Sequence, residues 1–382
     1  MSLPFKNTAA CKSLLGATLT AVIVAVSGCS DSGTLNTDTS TDETDSEVTT
    51  GDTVTDVTVD ETDTTTGGSD TEIIDIYNAV FSERSADCGD YVNTFDATVV
   101  DIQNSLSFNA DVFITATNTE CTITSNSVPN HDFNDDTAAF AGGADGATIA
   151  ATDTVSTITR SPAIAAEPTA LSQQVKNGVF LNGVRLDILS AGCYRPNSPD
   201  AGDDGNTGIG CSTDDPWLLD PLGTDAKFGA DLHNAHTQPG GLYHYHGGPN
   251  AMFDDNPGSD GSPVIGFAAD GFPIYGSYFH DENSGQVRKA ISGYTLKPGS
   301  RGERSDTNPG GDHDGTYNDD WEFTNSGDLD ECNGMSINGQ YGYYVTDTYP
   351  WVIKCFTGTP HASFGGGDNE GVGPPPQDAP AQ

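Results

Sequence analysis

No stretch of this chain keeps apolar residues at helical spacing for long. Its apolar runs are short and alternating: Tyr91 to Ile102, Ala110 to Thr115, Val179 to Ile188, Val264 to Phe267, Tyr343 to Thr346 and Trp351 to Phe356. Clusters of Asn, Asp, Gly and Pro separate them, and the 382 residues include 45 Gly and 21 Pro. Alternation with a period of two places one set of side chains on one face of a strand, and Gly/Pro clusters end strands in turns. Only two segments read as short helices, Thr71 to Phe81 and Thr169 to Lys176. In the second, Leu171 and Val175 share a face just after Pro168. No repeat at solenoid spacing is visible.

Cysteines add a second constraint. Cys11 lies in the N-terminal segment and Cys29 has a separate role described below. Six remain: Cys88, Cys121, Cys193, Cys211, Cys332 and Cys355. An even number without close Cys pairs speaks for structural disulfides in an oxidising compartment rather than a zinc ribbon. Pairing in sequence order, 88 with 121, 193 with 211 and 332 with 355, is the simplest of fifteen arrangements. The expected fold is therefore mainly β: a single disulfide-braced β-rich domain with long Gly/Asp-rich loops and few short helices.

The N-terminus reads as an address. Lys6 and Lys12 precede an apolar run from Leu14 to Val26, too short to span a membrane as a mature helix. Val26-Ser27-Gly28-Cys29 resembles a bacterial lipobox, with Cys29 as the lipidation site. Residues 31 to 70 hold nine Asp, three Glu and fourteen Thr without a single Lys or Arg. Such a segment cannot bury enough apolar surface to offset chain ordering, and its charges repel one another. The expected organisation is a lipoprotein signal peptide over 1–28, a lipidated acidic Thr/Asp-rich tether over 29–70, a domain over 71–361 and a disordered Gly/Pro-rich tail over 362–382. Ser30 in place of an aspartate points to an outer-membrane lipoprotein of the cell envelope, periplasmic or surface-exposed. The net charge of -42 argues against nucleic acid as a partner and leaves the lipid as the contact with membrane.

Histidines carry the chemical signal. Four of the eight fall within Asp231-Leu232-His233-Asn234-Ala235-His236 and Tyr243-His244-Tyr245-His246. On a strand His244 and His246 point to one side and Tyr243 and Tyr245 to the other, into packing. His233 and His236 can meet on one turn. Two such pairs can converge on one transition metal, with zinc or copper the expected ion and Asp231 supplying an oxygen or orienting a ring. His131 is a further candidate to approach the cluster, whereas His280 reads as a packing residue, and His313 and His361 are weaker candidates.

The tetrapeptide Tyr243-His244-Tyr245-His246 resembles the signature of the YHYH-domain family of exported proteins. Other segments are similar to that family too: Ser127 to Asp132, Ile265 to Gly276, Leu329 to Gly334 and Tyr349 to Phe356. The resemblance implies a shared fold more firmly than a shared activity. Some relatives carry a histidine where this chain reads Tyr341-Gly342-Tyr343-Tyr344-Val345-Thr346.

Carboxylates suggest softer sites. Asp312, Asp314, Asn318, Asp320 and Glu322 surround a glycine, as calcium loops do, without the full EF-hand spacing. Asp203-Asp204-Gly205-Asn206 is a second such stretch. Asp270 and Glu331 are candidate acid–base residues. There is no Ser nucleophile elbow, Walker A loop or His-Glu-x-x-His helix. The expected function is a surface-anchored metal-binding protein. Two alternatives are a metal-dependent extracellular hydrolase or oxidoreductase, and a calcium-supported protein that adheres to glycan or an envelope component through Tyr243, Tyr245, Trp321, Tyr343 and Tyr344.

Overall fold

A computed structural model describes residues 73–135, 149–224, 229–238, 241–254 and 256–365, all within one compact unit. The expected signal peptide, Cys29, the expected acidic tether and the chain beyond 365 lie outside the described residues. The fold is mainly β, and no described helix reaches seven residues. Nor is any described helix long and apolar enough to cross a membrane.

The first layer is a five-stranded sheet in sequence order: β1 (Ile73–Asp75), β2 (Asn93–Asp101), β3 (Leu106–Ala116), β4 (Glu120–Ser125) and β5 (Thr154–Thr159). β1 joins β2 in parallel and the rest is an antiparallel meander. The alternation that defines β3 decides its faces: Ala110, Val112 and Ile114 are buried while Asp111 and Phe113 face out.

The second layer is an eight-stranded mixed sheet. Across it run Ala235–Thr237, Tyr243–Tyr245, Arg185–Leu186, Gly178–Phe180, Val264–Ala268, Pro273–Tyr275, Gln340–Tyr344 and Gly334–Ile337. Strand Val264–Ala268 is buried at every position, so its side chains pack on both faces. This is why it reads as a continuous apolar run rather than an alternation. One apolar cluster unites both sheets, with Val99, Val112 and Ile123 from the first and Phe180, Phe267 and Tyr243 from the second.

Five expectations are corrected in detail. The segment expected as a helix over Thr71 to Phe81 instead forms β1 and a turn. Ile76 donates its N–H to Asp96 on β2, and Asn78 adopts a left-handed conformation (φ 52°) that no helix admits. The helix expected over Thr169 to Lys176 is also absent. Thr169–Ala170 pairs with Cys355–Phe356, and the Lys176 N–H goes to the Phe364 carbonyl. Val179 to Ile188 is a hairpin rather than one strand. Its turn is at Asn182-Gly183, where Gly183 has φ 79° and a Cβ would collide with Ser125 on β4. Trp351 to Phe356 contributes only Cys355–Phe356 as a strand. Ordered structure also extends past 361: Ala362–Phe364 forms a 3-10 turn with Phe364 buried.

The disulfides join Cys88 to Cys121, Cys193 to Cys211 and Cys332 to Cys355, the sequential arrangement. The first ties the turn Cys88–Tyr91 to β4. The last closes a 23-residue separation and secures the short strand Cys355–Phe356. Loop-closure entropy assigns a bridge of that span about 3 kcal/mol. The variant Cys332→Ser/Cys355→Ser is therefore expected to lose about that much stability, read as a lower denaturant midpoint. An unchanged midpoint would show that this bridge does not constrain the unfolded chain.

Candidate metal centre

A tight turn builds the site. Asp231 is buried, and its Oδ1 accepts the N–H groups of His233 (3.0 Å) and Ala235 (3.2 Å). Asn234 takes a left-handed φ of 61° and reverses the chain into strand Ala235–Thr237. That strand pairs antiparallel with Tyr243–Tyr245 so that His236 lies directly opposite His244. His246 follows two residues later, on the same face as His244, and its N–H is held by the Asn234 carbonyl.

The result is a convergence of three imidazoles. Nε2 of His244 lies 3.1 Å from Nε2 of His246, which lies 3.2 Å from Nε2 of His236. The three residues are each 4% exposed. His236 Nδ1 is 2.8 Å from the Gly229 carbonyl and His244 Nδ1 is 3.4 Å from the Leu242 carbonyl. A carbonyl only accepts, so both Nδ1 atoms carry the proton and both Nε2 lone pairs point inward. Burial pushes the His244 and His246 pKa values well below the ordinary 6.5, and neighbouring imidazoles and Lys176 push the same way. Neutral imidazoles are the form that ligates a metal. Zn–N bonds of 2.0–2.1 Å at tetrahedral angles imply N···N edges of about 3.3–3.4 Å, and the observed spacings are within about 0.3 Å of that. The donor set and its geometry therefore fit a transition-metal ion.

The other face of the motif strand is a hydrogen-bonded anchor. The Tyr243 hydroxyl donates to Asp231 Oδ2 at 2.6 Å. His131 donates from Nδ1 to the Asp132 carbonyl (2.7 Å), so its Nε2 accepts from the Tyr245 hydroxyl at 2.6 Å. Asn182 donates to the same Tyr245 oxygen (3.0 Å). His131 is pushed down to about 3, chiefly by burial and then by His233, so it is neutral.

Of the expected ligands, the fold brings His236, His244 and His246 together and leaves His233 and Asp231 outside the set. The turn at Asn234 separates His233 from His236. His233 stacks on His131, with ring centroids 3.8 Å apart, and its Nε2 faces Asp135 at 3.3 Å. Asp231 serves the backbone and Tyr243 instead. His131 belongs to the Tyr245 anchor.

The remaining candidates resolve as architecture. Asp270 is buried, accepts from Tyr343 (2.6 Å) and the Gly358 N–H (2.9 Å), and has its pKa raised by burial. Glu331 is exposed at the surface. In the expected calcium loop the positive charge comes from Arg301. Its guanidinium grips Asp320 through Nε (2.7 Å) and Nη2 (2.6 Å), and also contacts Asp314. Asp312 is exposed, Asn318 starts a 3-10 turn, and Glu322 points out from strand Trp321–Phe323. Asp204 folds back on Asn206 as a turn. The tyrosines expected as a glycan platform are core: Tyr243, Tyr245, Tyr343 and Tyr344 are buried, and Trp321 stacks on Tyr349.

Sequence reasoning missed the buried ion pair between Lys176 and Asp187 (2.5 Å). Asp187 donates its N–H to the carbonyl of Tyr245, between the two motif histidines. The only available signal was a lysine two residues before Gly178–Phe180, a strand that is buried throughout.

A family model described as YHYH protein matches residues 155–358. The match begins in β5, so the first four strands and His131 lie outside it. No curated protein matches, and no solved structure does.

Two outcomes follow for the metal-free chain. The unfolded state takes up protons near pH 6.5 that His244 and His246 refuse when folded, so their contribution is intact above that pH and is lost as pH falls below it. Thermal midpoints should drop steadily from pH 7.5 to 5, and a flat profile would contradict the burial argument. Tyr245→Phe strands the His131 and Asn182 partners and should cost about 1–3 kcal/mol, measured by denaturant unfolding.

Proposed function

From the premise that this chain belongs to the YHYH protein family, we propose that it is an exported, envelope-anchored protein that holds one transition-metal ion, zinc or copper, on His236, His244 and His246. The carrying observation is the meeting of three Nε2 atoms at 3.1 and 3.2 Å in a buried position. The inward Nε2 lone pairs of His236 and His244 both face Nε2 of His246, at 3.2 and 3.1 Å. A proton on His246 Nε2 is divided between those two acceptors, whereas one ion takes all three ring nitrogens as ligands.

Imidazole suits zinc and copper, and a three-histidine set leaves room for a fourth, exogenous ligand. At 4% exposure the rings are enclosed, which favours holding an ion over turning over a bulky substrate. Three disulfides support an oxidising compartment. The lipobox-like Val26 to Cys29 and the acidic tether support attachment to the envelope through lipid.

The test is elemental analysis of the chain purified without a polyhistidine tag. One zinc or copper per chain is expected. It should be lost in His236→Ala and in His244→Ala/His246→Ala, and kept in His233→Ala. A metal-free native chain of unchanged stability, or metal retained by the double variant, would overturn the proposal.

A further inference from the structure

A cleft lies beside the histidine hairpin. It has a volume of about 210 Å³, and Asn234, Asn250, Lys289, Thr346, Asp347 and Trp351 are among its lining residues. Asn234 is the residue whose left-handed turn sets up the histidine strand, and its side-chain amide donates to the Gly248 carbonyl (2.9 Å) on the opposite side of the hairpin. Val345 and Phe253 supply apolar surface to the same cleft.

Trp351 is held there by two costly devices. Its backbone has φ 67°, a conformation that bulky side chains rarely adopt and that concentrates at functional positions. Its indole Nε1 donates to both oxygens of Asp220, at 2.9 and 3.1 Å. Asp220 is itself buried, and desolvation pushes its carboxyl up to about 6 against the hydrogen bonds from Trp351 and Leu222. With its N–H committed to Asp220, the Trp351 indole has no polar group left for an occupant of the cleft.

The polar lining is balanced in charge. Lys289 and Asp347 are paired at 2.8 Å, with side chains 40% and 65% exposed. The Thr346 hydroxyl donates to the Thr348 carbonyl (2.7 Å) and is left as an acceptor, while the amides of Asn234 and Asn250 bring both donors and acceptors. An occupant matched to this lining is small, carries no net charge, and has an apolar face with a hydroxylated edge. Drug-sized ligands occupy about 300–1,000 Å³, so the volume suits a single ring.

We propose that this cleft binds one neutral sugar ring, with its C–H face against Trp351 and its hydroxyls on Asn234, Thr346, Lys289 and Asp347. The site is separate from the histidine triad and does not depend on a metal there.

The test is saturation-transfer NMR on the full chain with glucose, galactose, mannose and N-acetylglucosamine as probes. Saturable binding of at least one is expected. The surface variant Lys289→Ala/Asp347→Ala should weaken it at least tenfold with metal content unchanged. Trp351→Phe should weaken it by a similar factor. If that variant does not fold, the surface variant alone decides. Three results would overturn the proposal: no saturable binding by any of the four sugars, binding that is unchanged in the folded surface variant, or displacement of the sugar by glycine, a zwitterion that the Lys289–Asp347 pair would then be reading as charge.

Discussion

The structure around the histidines depends on a three-residue strand, Tyr243–Tyr245, buried on both faces. Strand geometry sends Tyr243 and Tyr245 one way and His244 the other, with His246 continuing the histidine side. Burial on both sides makes unmatched polar atoms costly. The hydroxyls therefore end on Asp231 and His131, each at 2.6 Å, and the imidazoles end on one another. The tyrosines fix the height and rotation of the strand. The histidines inherit that placement, which is why the alternation of the two residue types matters more than the count of histidines.

Much of this was legible in the chain, and the reasons differ by residue. The period-two runs marked β2 and β3, and a continuous apolar run marked Val264–Ala268, because burial on one or both faces leaves a pattern in sequence. His236, His244 and His246 were legible as a group because they lie close in the chain. His233 was misread because its side is decided by the backbone of Asn234, and a left-handed asparagine leaves no hydrophobic pattern. The two expected helices failed for another reason. Their segments pair with strands far away in sequence, β2 and Cys355–Phe356, and tertiary pairing overrides weak local preference. Lys176–Asp187 and Trp351–Asp220 were invisible because each joins residues that have no local reason to meet.

The acidity of the chain also acquires an internal meaning. Beyond the tether, several aspartates are not surface charge at all. Asp231, Asp270 and Asp320 are buried and each accepts two or more hydrogen bonds from backbone or side-chain donors. In a protein with hardly any helix, loops must satisfy their own N–H groups, and a short carboxylate can accept several at once. Arg301 completes the arrangement at Asp320, inside the segment expected as a calcium loop. Carboxylates that looked like ion ligands act as joints between loops.

The three disulfides share a property with consequences for how such a chain is made. Each joins a cysteine to the next one along, across separations of 33, 18 and 23 residues, so no bridge encloses or interlaces with another. A polypeptide that emerges from a pore N-terminus first presents its partners in the order in which they must combine. Sequential connectivity allows each bridge to close before the next cysteine pair has appeared, and short separations keep the entropic cost of each closure small. Fourteen alternative connectivities are thereby disfavoured by timing as well as by energy. Reshuffling by an isomerase becomes a convenience for such a molecule, and fidelity is written into the order of its thiols.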